Sequence, residues 1–424
     1  MDLNLLKEII MEQAKDLEKK DVGIERDTML KLEESLKIPH SIVISGLRRV
    51  GKSTLLMQIM NKFYKNKCYY FNFEDERLIN FQKEDFNKLY EILLELFGEK
   101  TVFFFDEIQN IIGWENFVRR MQDKGFKFYL TGSNASMLSR ELGTKLTGRY
   151  IPYELYPFSF REYLDFKGYI VPSNATSYTK ERAKLKSYFN QYLKSGGLPE
   201  YLKFENKDIL KRIYEDILYR DIVTRYDVQE VKSLRELALY YFSNLGNLTS
   251  FNKLKEILKL GSVNTVKSYT DYFENSYLFF TVNIFSYKVS QQFIAPKKIY
   301  SIDNGLADAI SFSFSKNSGK FLENMVFIEL KRRGDSIYYY KTKNNLEVDF
   351  VIRKGRDIIE LIQVCESIEK TDTREREIKA LIQAMDELDL KSSIILTTDK
   401  EKIININNKT IKVLPTYKWL LNLK

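Results

Sequence analysis

The fold of the first part of this chain is decided by one stretch, His40 to Ser53, which reads HSIVISGLRRVGKS. Its first residues, His40 to Ser45, form a short apolar run that predicts a β-strand. The remaining residues, Gly46 to Ser53, match the pattern G-x-x-x-x-G-K-[ST] at every fixed position, and a helical pattern follows them. A strand, a glycine-containing loop and a helix in this order predict a phosphate-binding loop.

The chemistry of phosphate binding explains these residue types at this spacing. Glycine lets the loop curl so that its backbone N–H groups point at phosphate oxygens. Lys52 would supply a positive charge to the β- and γ-phosphates, and the Ser53 hydroxyl would bind Mg²⁺. We therefore expect ATP and Mg²⁺ as cofactors. The residues predicted to contact the nucleotide are Gly46, Leu47, Arg48, Arg49, Val50, Gly51, Lys52, Ser53 and Thr54.

Three further strand-like runs follow the loop and alternate with helical patterns. The strands are predicted at Cys68 to Phe73, Thr101 to Phe105 and Lys127 to Thr131, and one intervening helix is predicted at Phe86 to Phe97. Strands that alternate with helices are typical of an α/β fold with a parallel sheet. Residues 1–38 show the mixed-charge pattern of an amphipathic helix in front of this sheet.

Polar residues follow two of the predicted strands. Asp106 and Glu107 come directly after the third strand, where one carboxylate could hold Mg²⁺ and the other could activate water. Ser133 and Asn134 follow the fourth strand, where they either hydrogen-bond the attacking water or the γ-phosphate, or form an ordinary polar turn. The candidate catalytic residues at this stage are Lys52, Glu107, Ser133 and Asn134, and the candidate metal ligands are Ser53 and Asp106.

The pattern changes three times in the rest of the chain. We expect an α/β core over residues 1–160 and, from its long charged helical stretches, a helical lid over residues 161–228. Three apolar-periodic helices and a strand predict a winged helix within residues 229–300. Residues 301–424 alternate helices and strands again, which predicts a second α/β unit.

The order of phosphate loop, acidic strand end and polar strand end resembles that of the AAA+ ATPases. Further stretches resemble a prokaryotic branch of that family, namely Arg48-Arg49, Asp106-Glu107-Ile108-Gln109, Thr131-Gly132-Ser133, Gly148-Arg149 and Pro157-Phe158-Ser159-Phe160-Arg161-Glu162. The resemblance implies homo-oligomers in which an arginine finger reaches the γ-phosphate of a neighbouring subunit. Arg149 is the first candidate for the finger and Arg140 the second, and the alternative for Arg149 is an ordinary surface or ion-pair role. Arg48 and Arg49 could instead face nucleic acid or a neighbouring subunit.

In the same branch the ATPase precedes a module of unknown function that resembles the PD-(D/E)XK nuclease fold. Glu323 on a predicted helix and Asp349 on a predicted strand match two acidic positions of that core. Such a nuclease also has an acidic residue and a lysine two positions apart on a strand, beside the catalytic metal. Gln363 and Cys365 stand at those two places. The resemblance therefore implies a nuclease-like module that has lost its catalytic site.

Composition narrows the class of protein further. The 424 residues include 67 Lys and Arg against 58 Asp and Glu, a formal net charge of +9, which slightly favours anionic partners. One histidine and two cysteines leave little for a disulfide framework or a His/Cys metal site. The apolar runs fall short of the roughly 18 residues of a membrane span, and the N-terminus does not read as a signal peptide. We therefore expect a cytoplasmic protein without a membrane partner.

Double-stranded DNA is a candidate partner because winged helices can bind DNA. The outward-facing residues of the helix predicted at Val263 to Phe273 are Asn264, Thr265, Lys267, Ser268 and Asp271. Residues 246–285 carry only four lysines against three acidic residues, which is weak for a phosphate-binding surface, and such a module can also serve only to pack domains together.

Three functions remain open from the sequence. The first is a Mg²⁺-dependent ATPase whose hydrolysis drives conformational change in the winged-helix and nuclease-like modules. The second is a nucleotide-gated DNA-binding regulator with little turnover. The third is an ATP-controlled nuclease. The sequence does not identify a protein partner.

Overall fold

The chain is divided into two units in the computed structural model, which describes residues 1–133, 148–172, 178–311, 318–369 and 371–423. The first unit comprises Met1–Tyr156 and Asn275–Tyr277, and the second comprises Pro157–Glu274 and Leu278–Lys424. The finer division into core, lid, winged helix and nuclease-like module stays a prediction.

Helices and strands alternate along the first unit. Its helices are α1 (Leu3–Lys19), α2 (Thr28–Ser35), α3 (Lys52–Phe63), α4 (Phe86–Phe97) and α5 (Trp114–Asp123). Its strands are β1 (Ser41–Gly46), β2 (Tyr69–Asn72), β3 (Val102–Asp106), β4 (Lys127–Gly132) and β5 (Tyr150–Leu155). The helix predicted at Phe86–Phe97 is confirmed. The helical pattern of residues 1–38 is interrupted between α1 and α2, where Gly23 has a φ of +57° and its N–H donates to the Asp21 carboxylate.

The five strands form one parallel sheet in the order β2-β3-β4-β1-β5, which confirms the predicted parallel α/β sheet. Because the strands are parallel, their carboxyl ends lie at one edge of the sheet. The ends of β3, β4 and β1 are neighbours at that edge. The phosphate-loop sequence, the Asp106-Glu107 pair and Ser133 follow these three ends, so the topology brings them together.

Aromatic side chains fill the core beneath this sheet. All five residues of β3 are buried, as expected for a strand covered on both faces. The Phe103 ring stacks on Phe128 of β4 at a centroid distance of 5.0 Å, and the Phe86 ring stacks on Phe117 at 4.9 Å. Such pairs add to the free energy of burial and fix the strands relative to the helices. The strand ends that carry the polar residues are therefore rigidly placed.

The second unit begins with helices and a small antiparallel sheet. Its first helices are α6 (Phe160–Phe166), α7 (Thr179–Ser195), α8 (Pro199–Phe204), α9 (Lys207–Asp216), α10 (Val231–Ser243), α11 (Phe251–Ile257) and α12 (Val263–Asn275). A π-helical segment, Ile217–Val223, and a last turn, Thr224–Tyr226, continue α9. The strands β6 (Leu248–Thr249), β7 (Phe279–Val282) and β8 (Lys297–Ser301) pair in the order β6-β8-β7. The three helices expected here are present, together with a three-stranded sheet. The assignment of this part as a winged helix stays a prediction.

A six-stranded sheet forms the C-terminal part of the second unit. The helices here are α13 (Val289–Ile294), α14 (Asn304–Ile310), α15 (Ser318–Arg333), α16 (Thr371–Glu387) and α17 (Thr416–Leu421). The strands are β9 (Ser336–Lys341), β10 (Glu347–Lys354), β11 (Asp357–Val364), β12 (Ser392–Thr397), β13 (Lys402–Ile406) and β14 (Lys409–Pro415), in the order β13-β14-β12-β11-β10-β9. This confirms an α/β unit near the C-terminus. Across the described ranges, we find no helix that is both long and apolar enough to span a bilayer.

A glycine pair holds separate parts of the second unit together. The Gly197 N–H donates to the Asp303 carboxylate at 2.7 Å, and the Gly197 carbonyl accepts from the Phe158 N–H at 2.8 Å. A Cβ at Gly197 would overlap the Phe158 backbone, and one at Gly196 would overlap the Asp303 carboxylate. Burial raises the pKa of Asp303 to about 6, although backbone N–H groups, including that of Gly197, counteract the rise. The Gly-Gly sequence therefore permits a close backbone approach.

We expect Gly197→Ala to lower the free energy of unfolding by about 1–3 kcal/mol, because the added methyl group must displace the Phe158 backbone. Urea denaturation followed by circular dichroism measures the loss. Gly261→Ala is the matched control, since a Cβ there meets no atom within 4 Å. Equal stability of the two variants would contradict this account of the glycine pair.

Candidate nucleotide-binding site

The phosphate-loop sequence connects the end of β1 to the start of α3. A Cβ at Gly46 would overlap the carbonyl oxygen of Leu155 in the neighbouring strand, so only glycine fits there. Gly51 has a φ of +100°, a conformation that costs glycine little and other residues more. The backbone conformation and packing of the loop therefore require glycine at both fixed positions. The predicted order of strand, loop and helix is confirmed.

Lys52 and Glu107 meet in front of this loop. The Lys52 ammonium is 4% exposed and donates to the carbonyl oxygens of Gly46 and Leu47, each at 3.2 Å. It also lies 3.3 Å from a carboxylate oxygen of Glu107. Two residues predicted as catalytic from different parts of the sequence are therefore in direct contact.

One hydroxyl group joins the two acidic residues to the adjacent strand. The Thr131 hydroxyl at the end of β4 donates to the Asp106 carboxylate and accepts the Glu107 N–H at 2.8 Å. The Tyr70 hydroxyl lies 3.3 Å from the other Asp106 oxygen. The sequence did not predict Thr131 and Tyr70 as site residues. Strand periodicity indicates that a residue lies in a strand, but it does not indicate which side chain that residue will contact.

The backbone and side chain of Glu107 are both constrained. Its φ is +51°, which is unusual for a residue with a side chain. The Gln109 amide donates to the Glu107 carboxylate and lies 3.4 Å from the Ser133 hydroxyl, so it links two candidate residues. Burial alone would raise the pKa of Glu107, but the Lys52 charge and the Gln109 hydrogen bond outweigh it and hold the pKa below its usual value. Glu107 is therefore an ionised acceptor beside the loop.

The Ser53 and Asp106 side chains fit the chemistry of Mg²⁺. Burial, together with the Glu107 charge, raises the pKa of Asp106, while hydrogen bonds from Thr131 and Ser53 counteract the rise. A carboxylate and a hydroxyl in contact offer the oxygen ligands that Mg²⁺ prefers, and this ion commonly keeps several waters and binds phosphate oxygens as well. A cation here would also stabilise the buried Asp106 charge. The donor set predicted from the sequence therefore fits the ion.

The other predicted loop contacts divide into backbone and side-chain candidates. Leu47 and Val50 are fully buried, so their side chains face the protein and only their backbone groups remain as candidates. Arg48 pairs with Glu74 at 2.9 Å, and Arg49 has a φ of +62°. The half-buried side chain of Thr54 follows Ser53 in the first turn of α3.

The candidate arginine finger lies at the opposite end of the strands. Arg149 precedes β5, and its half-exposed side chain pairs with Asp123. Tyr150 pairs with Ser41 at the start of β1, five residues before Gly46, which corresponds to roughly 16 Å along the strand. One chain therefore does not bring Arg149 to its own phosphate loop. Asn134 and Arg140 lie outside the described residues.

A second cluster of charges lies in the second unit, around Lys298 of β8. This lysine is 1% exposed, and its ammonium lies 3.0 Å from Glu323, 2.8 Å from Glu347 and 2.9 Å from Asp349. Burial would lower the pKa of Lys298, but the surrounding carboxylates raise it well above its usual value. Glu323 and Asp349 thus meet around an ammonium group. Lys298 gave no sequence signal, because only the fold brings β8 to these acids.

The two residues at the places of the nuclease acid and lysine have structural partners. The Gln363 side-chain oxygen accepts the Asp349 N–H at 3.2 Å. Burial raises the pKa of the Cys365 thiol to about 12, so it is not a base at neutral pH. Among the side chains that the structure describes, no group of three or more His, Cys, Asp or Glu residues could hold a metal ion.

Comparison with known families agrees with this geometry. Residues 39–164 match the model of an AAA domain, residues 186–317 that of a domain of unknown function (DUF8612), and residues 318–419 that of another domain of unknown function (DUF4143). The parallel sheet, its phosphate-loop sequence and this match therefore define a protein that contains an AAA domain. The resemblance of the last domain to nucleases stays a prediction.

Comparison with curated sequences adds the family of the whole chain. The chain belongs to the family of the uncharacterized protein MJ1544 of Methanocaldococcus jannaschii, with 40% identity over 98% of this chain and 95% of that protein. An uncharacterized protein of Haemophilus influenzae is 32% identical over 78% of this chain and 84% of its own length. Among solved structures, the Aeropyrum pernix ORC1 protein in complex with DNA matches 68% of this chain and 93% of that chain, with 13% identity and a TM-score of 0.34.

Replacing Thr131 with valine should lower the free energy of unfolding by about 1–3 kcal/mol, because the buried Asp106 carboxylate and the Glu107 N–H lose a partner without a change in shape. Thr131→Ser is the matched control, since it keeps the hydroxyl. Guanidinium denaturation of both variants tests the expectation. Equal stability of the valine and serine variants would contradict the role of the Thr131 hydroxyl in linking Asp106 and Glu107.

Removing the Lys298 charge should be still more costly. Lys298→Met leaves buried carboxylates without their cation, and we expect a loss of about 3–5 kcal/mol in unfolding free energy at pH 7. Burial and the Asp349 charge raise the pKa of Glu323 to about 7, so the loss should shrink as the pH falls below about 7 and this carboxyl group takes up a proton. Lys297→Met, at the half-buried neighbouring position, is the control. Similar losses for both lysines at pH 7 would refute the expectation.

Proposed function

We propose that this protein is a Mg²⁺-dependent ATPase. The contact between Lys52 and Glu107, 3.3 Å apart at the edge where the phosphate loop begins, is the observation that carries the proposal. It joins a cation suited to a γ-phosphate and a carboxylate suited to the attacking water. The match of residues 39–164 to an AAA domain supports the same reading.

Each residue of the site has a role in this proposal. The loop N–H groups from Gly46 to Thr54 hold the phosphates, and Lys52 stabilises negative charge on the β- and γ-phosphates. Ser53 and Asp106 hold Mg²⁺, which when bound neutralises developing charge on the phosphate oxygens. Glu107 orients the attacking water and accepts its proton. Ser133 and Asn134 remain candidates to contact the water or the γ-phosphate.

The ion pair between Lys52 and Glu107 indicates how ATP would prepare the site. A γ-phosphate competes with Glu107 for the Lys52 ammonium, because both are anions within reach of the same cation. Once Lys52 binds phosphate, the Glu107 carboxylate keeps its hydrogen bond from Gln109 and gains a free oxygen for water. Binding of the substrate would thus release the base.

The position of Arg149 fits a finger that acts between subunits. Its side chain is 48% exposed at the edge of the sheet opposite the phosphate loop. A second copy of the chain must therefore provide the phosphate that Arg149 would contact. We propose a homo-oligomer as the form that hydrolyses ATP, with the described Asp123 contact exchanged for phosphate on assembly.

DNA binding is a second candidate function, as a nucleotide-gated regulator or as the target of the ATPase. On α12, Asn264 and Lys267 are exposed, while Val266 and Phe273 are buried, as expected for a helix that presents a polar face. The connection between β7 and β8 exposes apolar side chains of the kind that some proteins insert between base pairs. These are Tyr287 (82% exposed), Phe293 (74%) and Ile294 (84%).

The ATP-controlled nuclease is the least supported reading. Lys298 occupies the space between Glu323 and Asp349, and Cys365 is not a base at neutral pH. The proposed role of the C-terminal module is to respond to the ATPase or to bind a partner. A cytoplasmic location remains the expectation from the sequence.

Steady-state ATP hydrolysis tests the proposal. Glu107→Gln should keep ATP binding and reduce turnover by about 100-fold or more, because the amide cannot accept a proton. Lys52→Ala should weaken binding and turnover together. Glu91→Gln, on the exposed side of α4, is the control and should behave as wild type. Turnover in Glu107→Gln equal to that of wild type would refute the ATPase mechanism.

The same assay with duplex DNA at low salt separates the candidate functions. If DNA raises turnover in wild type and not in Lys52→Ala, it is the target of the ATPase. If ATP changes the affinity for DNA, and wild type hydrolyses ATP no faster than Glu107→Gln does, the protein is a regulator. Turnover that is indifferent to DNA would direct attention to a protein partner.

A further inference from the structure

The residue that leads into the phosphate loop is bound by a tyrosine from a distant part of the chain. The Ser45 hydroxyl lies 2.6 Å from the Tyr277 hydroxyl, and the two residues are 232 positions apart. Ser45 is 0% exposed and Tyr277 is 1% exposed, so water does not replace this bond. Ser45 directly precedes Gly46, whose carbonyl oxygen accepts a hydrogen bond from the Lys52 ammonium.

The backbone of Tyr277 is strained. Its φ is +62°, and β7 begins only two residues later, at Phe279. A left-handed conformation is unfavourable for a bulky side chain and persists only where its surroundings enforce it. Asn275–Tyr277 also joins the first unit, although the chain on both sides belongs to the second.

A carboxylate lies beside these two hydroxyl groups. The Tyr277 hydroxyl lies 3.4 Å from one carboxylate oxygen of Glu154, and the Tyr156 hydroxyl donates to the other at 2.5 Å. Glu154 pairs with Ser45 across β1 and β5. Burial raises the pKa of Tyr277, so the phenol keeps its proton. Either hydroxyl of the Ser45–Tyr277 pair can be the donor, and a Tyr277 hydroxyl that donates to Glu154 leaves Ser45 as the donor to Tyr277.

We propose that Tyr277 is a positioning residue of the phosphate loop, which holds Ser45 so that the loop is preformed for the phosphates of ATP. This inference rests on the proposed nucleotide site and adds a residue that no loop motif contains. Strand pairing holds the Ser45 backbone in any case, and without the Tyr277 hydroxyl we expect the remaining ordering of the loop to occur on binding, which lowers affinity. The loop contacts ATP equally in the bound ground state and in the transition state. Loss of the Tyr277 hydroxyl should therefore raise KM and leave kcat nearly unchanged.

The test compares Tyr277→Phe and Ser45→Ala with a matched control. We expect each variant to weaken ATP binding by about fivefold, the effect of one buried hydrogen bond. The double variant should be no weaker than either single variant, because all three remove the same bond. Tyr241→Phe is the control, since the Tyr241 hydroxyl makes a similar buried bond to Thr270 at 2.7 Å away from the loop. Calorimetry gives the affinity, the hydrolysis assay gives KM and kcat, and thermal unfolding gives stability.

The outcomes separate this inference from the proposed function. If wild type does not bind ATP, the proposed function fails and the inference fails with it. If wild type binds ATP and Tyr277→Phe binds equally well, only the inference fails. Equal losses of affinity in Tyr277→Phe and Tyr241→Phe would also overturn it, because they would reflect general stability. A raised KM in Tyr277→Phe alone, at a melting temperature like that of Tyr241→Phe, supports the positioning role.

Discussion

The burial of three charges at one edge of an apolar sheet is the constraint on which the first unit depends. Lys52, Asp106 and Glu107 are all largely withdrawn from solvent. A buried charge is tolerated only when other groups compensate it. The lysine therefore contacts loop carbonyls and Glu107, and the Thr131 hydroxyl bridges the two acids. The glycines of the loop and the parallel strand order bring these groups within contact distance.

The charged cluster of the second unit also compensates buried charges, but with a lysine among several carboxylates. Lys298 is surrounded by carboxylates from α15 and β10, and the Tyr300 hydroxyl donates to Glu323 at 2.6 Å. One ammonium faces three carboxylates in this cluster, and burial and the Asp349 charge raise the pKa of Glu323 to about 7. At the phosphate loop one ammonium faces the carboxylates of Asp106 and Glu107 and two carbonyl groups of the loop. That site would gain stabilisation from the proposed binding of Mg²⁺ and ATP, because the cation would lie beside the Asp106 carboxylate and the phosphates beside Lys52.

The parts that could be predicted from sequence are those decided by neighbouring residues. The phosphate loop, the helix at Phe86–Phe97 and the acidic end of β3 each have local patterns. β5 was missed because it is a half-exposed edge strand that contains Pro152, without a continuous apolar run. Thr131, Lys298 and Tyr277 were missed as site residues for another reason. Their roles depend on partners from other elements, and no local pattern records which elements become neighbours.

The conformation of Glu107 bears on the choice between an ATPase and a passive nucleotide binder. A left-handed backbone at a residue with a side chain is unfavourable, and here the Thr131 hydroxyl maintains it by accepting the Glu107 N–H. Binding of phosphate and Mg²⁺ needs only the loop, Ser53 and Asp106. The Glu107 carboxylate is ionised, lies beside the loop and accepts a hydrogen bond from Gln109. Its negative charge repels a polyanion, so it does not increase the affinity for nucleotide. The ion pair with Lys52 explains why the carboxylate is tolerated there without nucleotide, and its proposed action on a water molecule beside bound ATP is the reading that favours hydrolysis over passive binding.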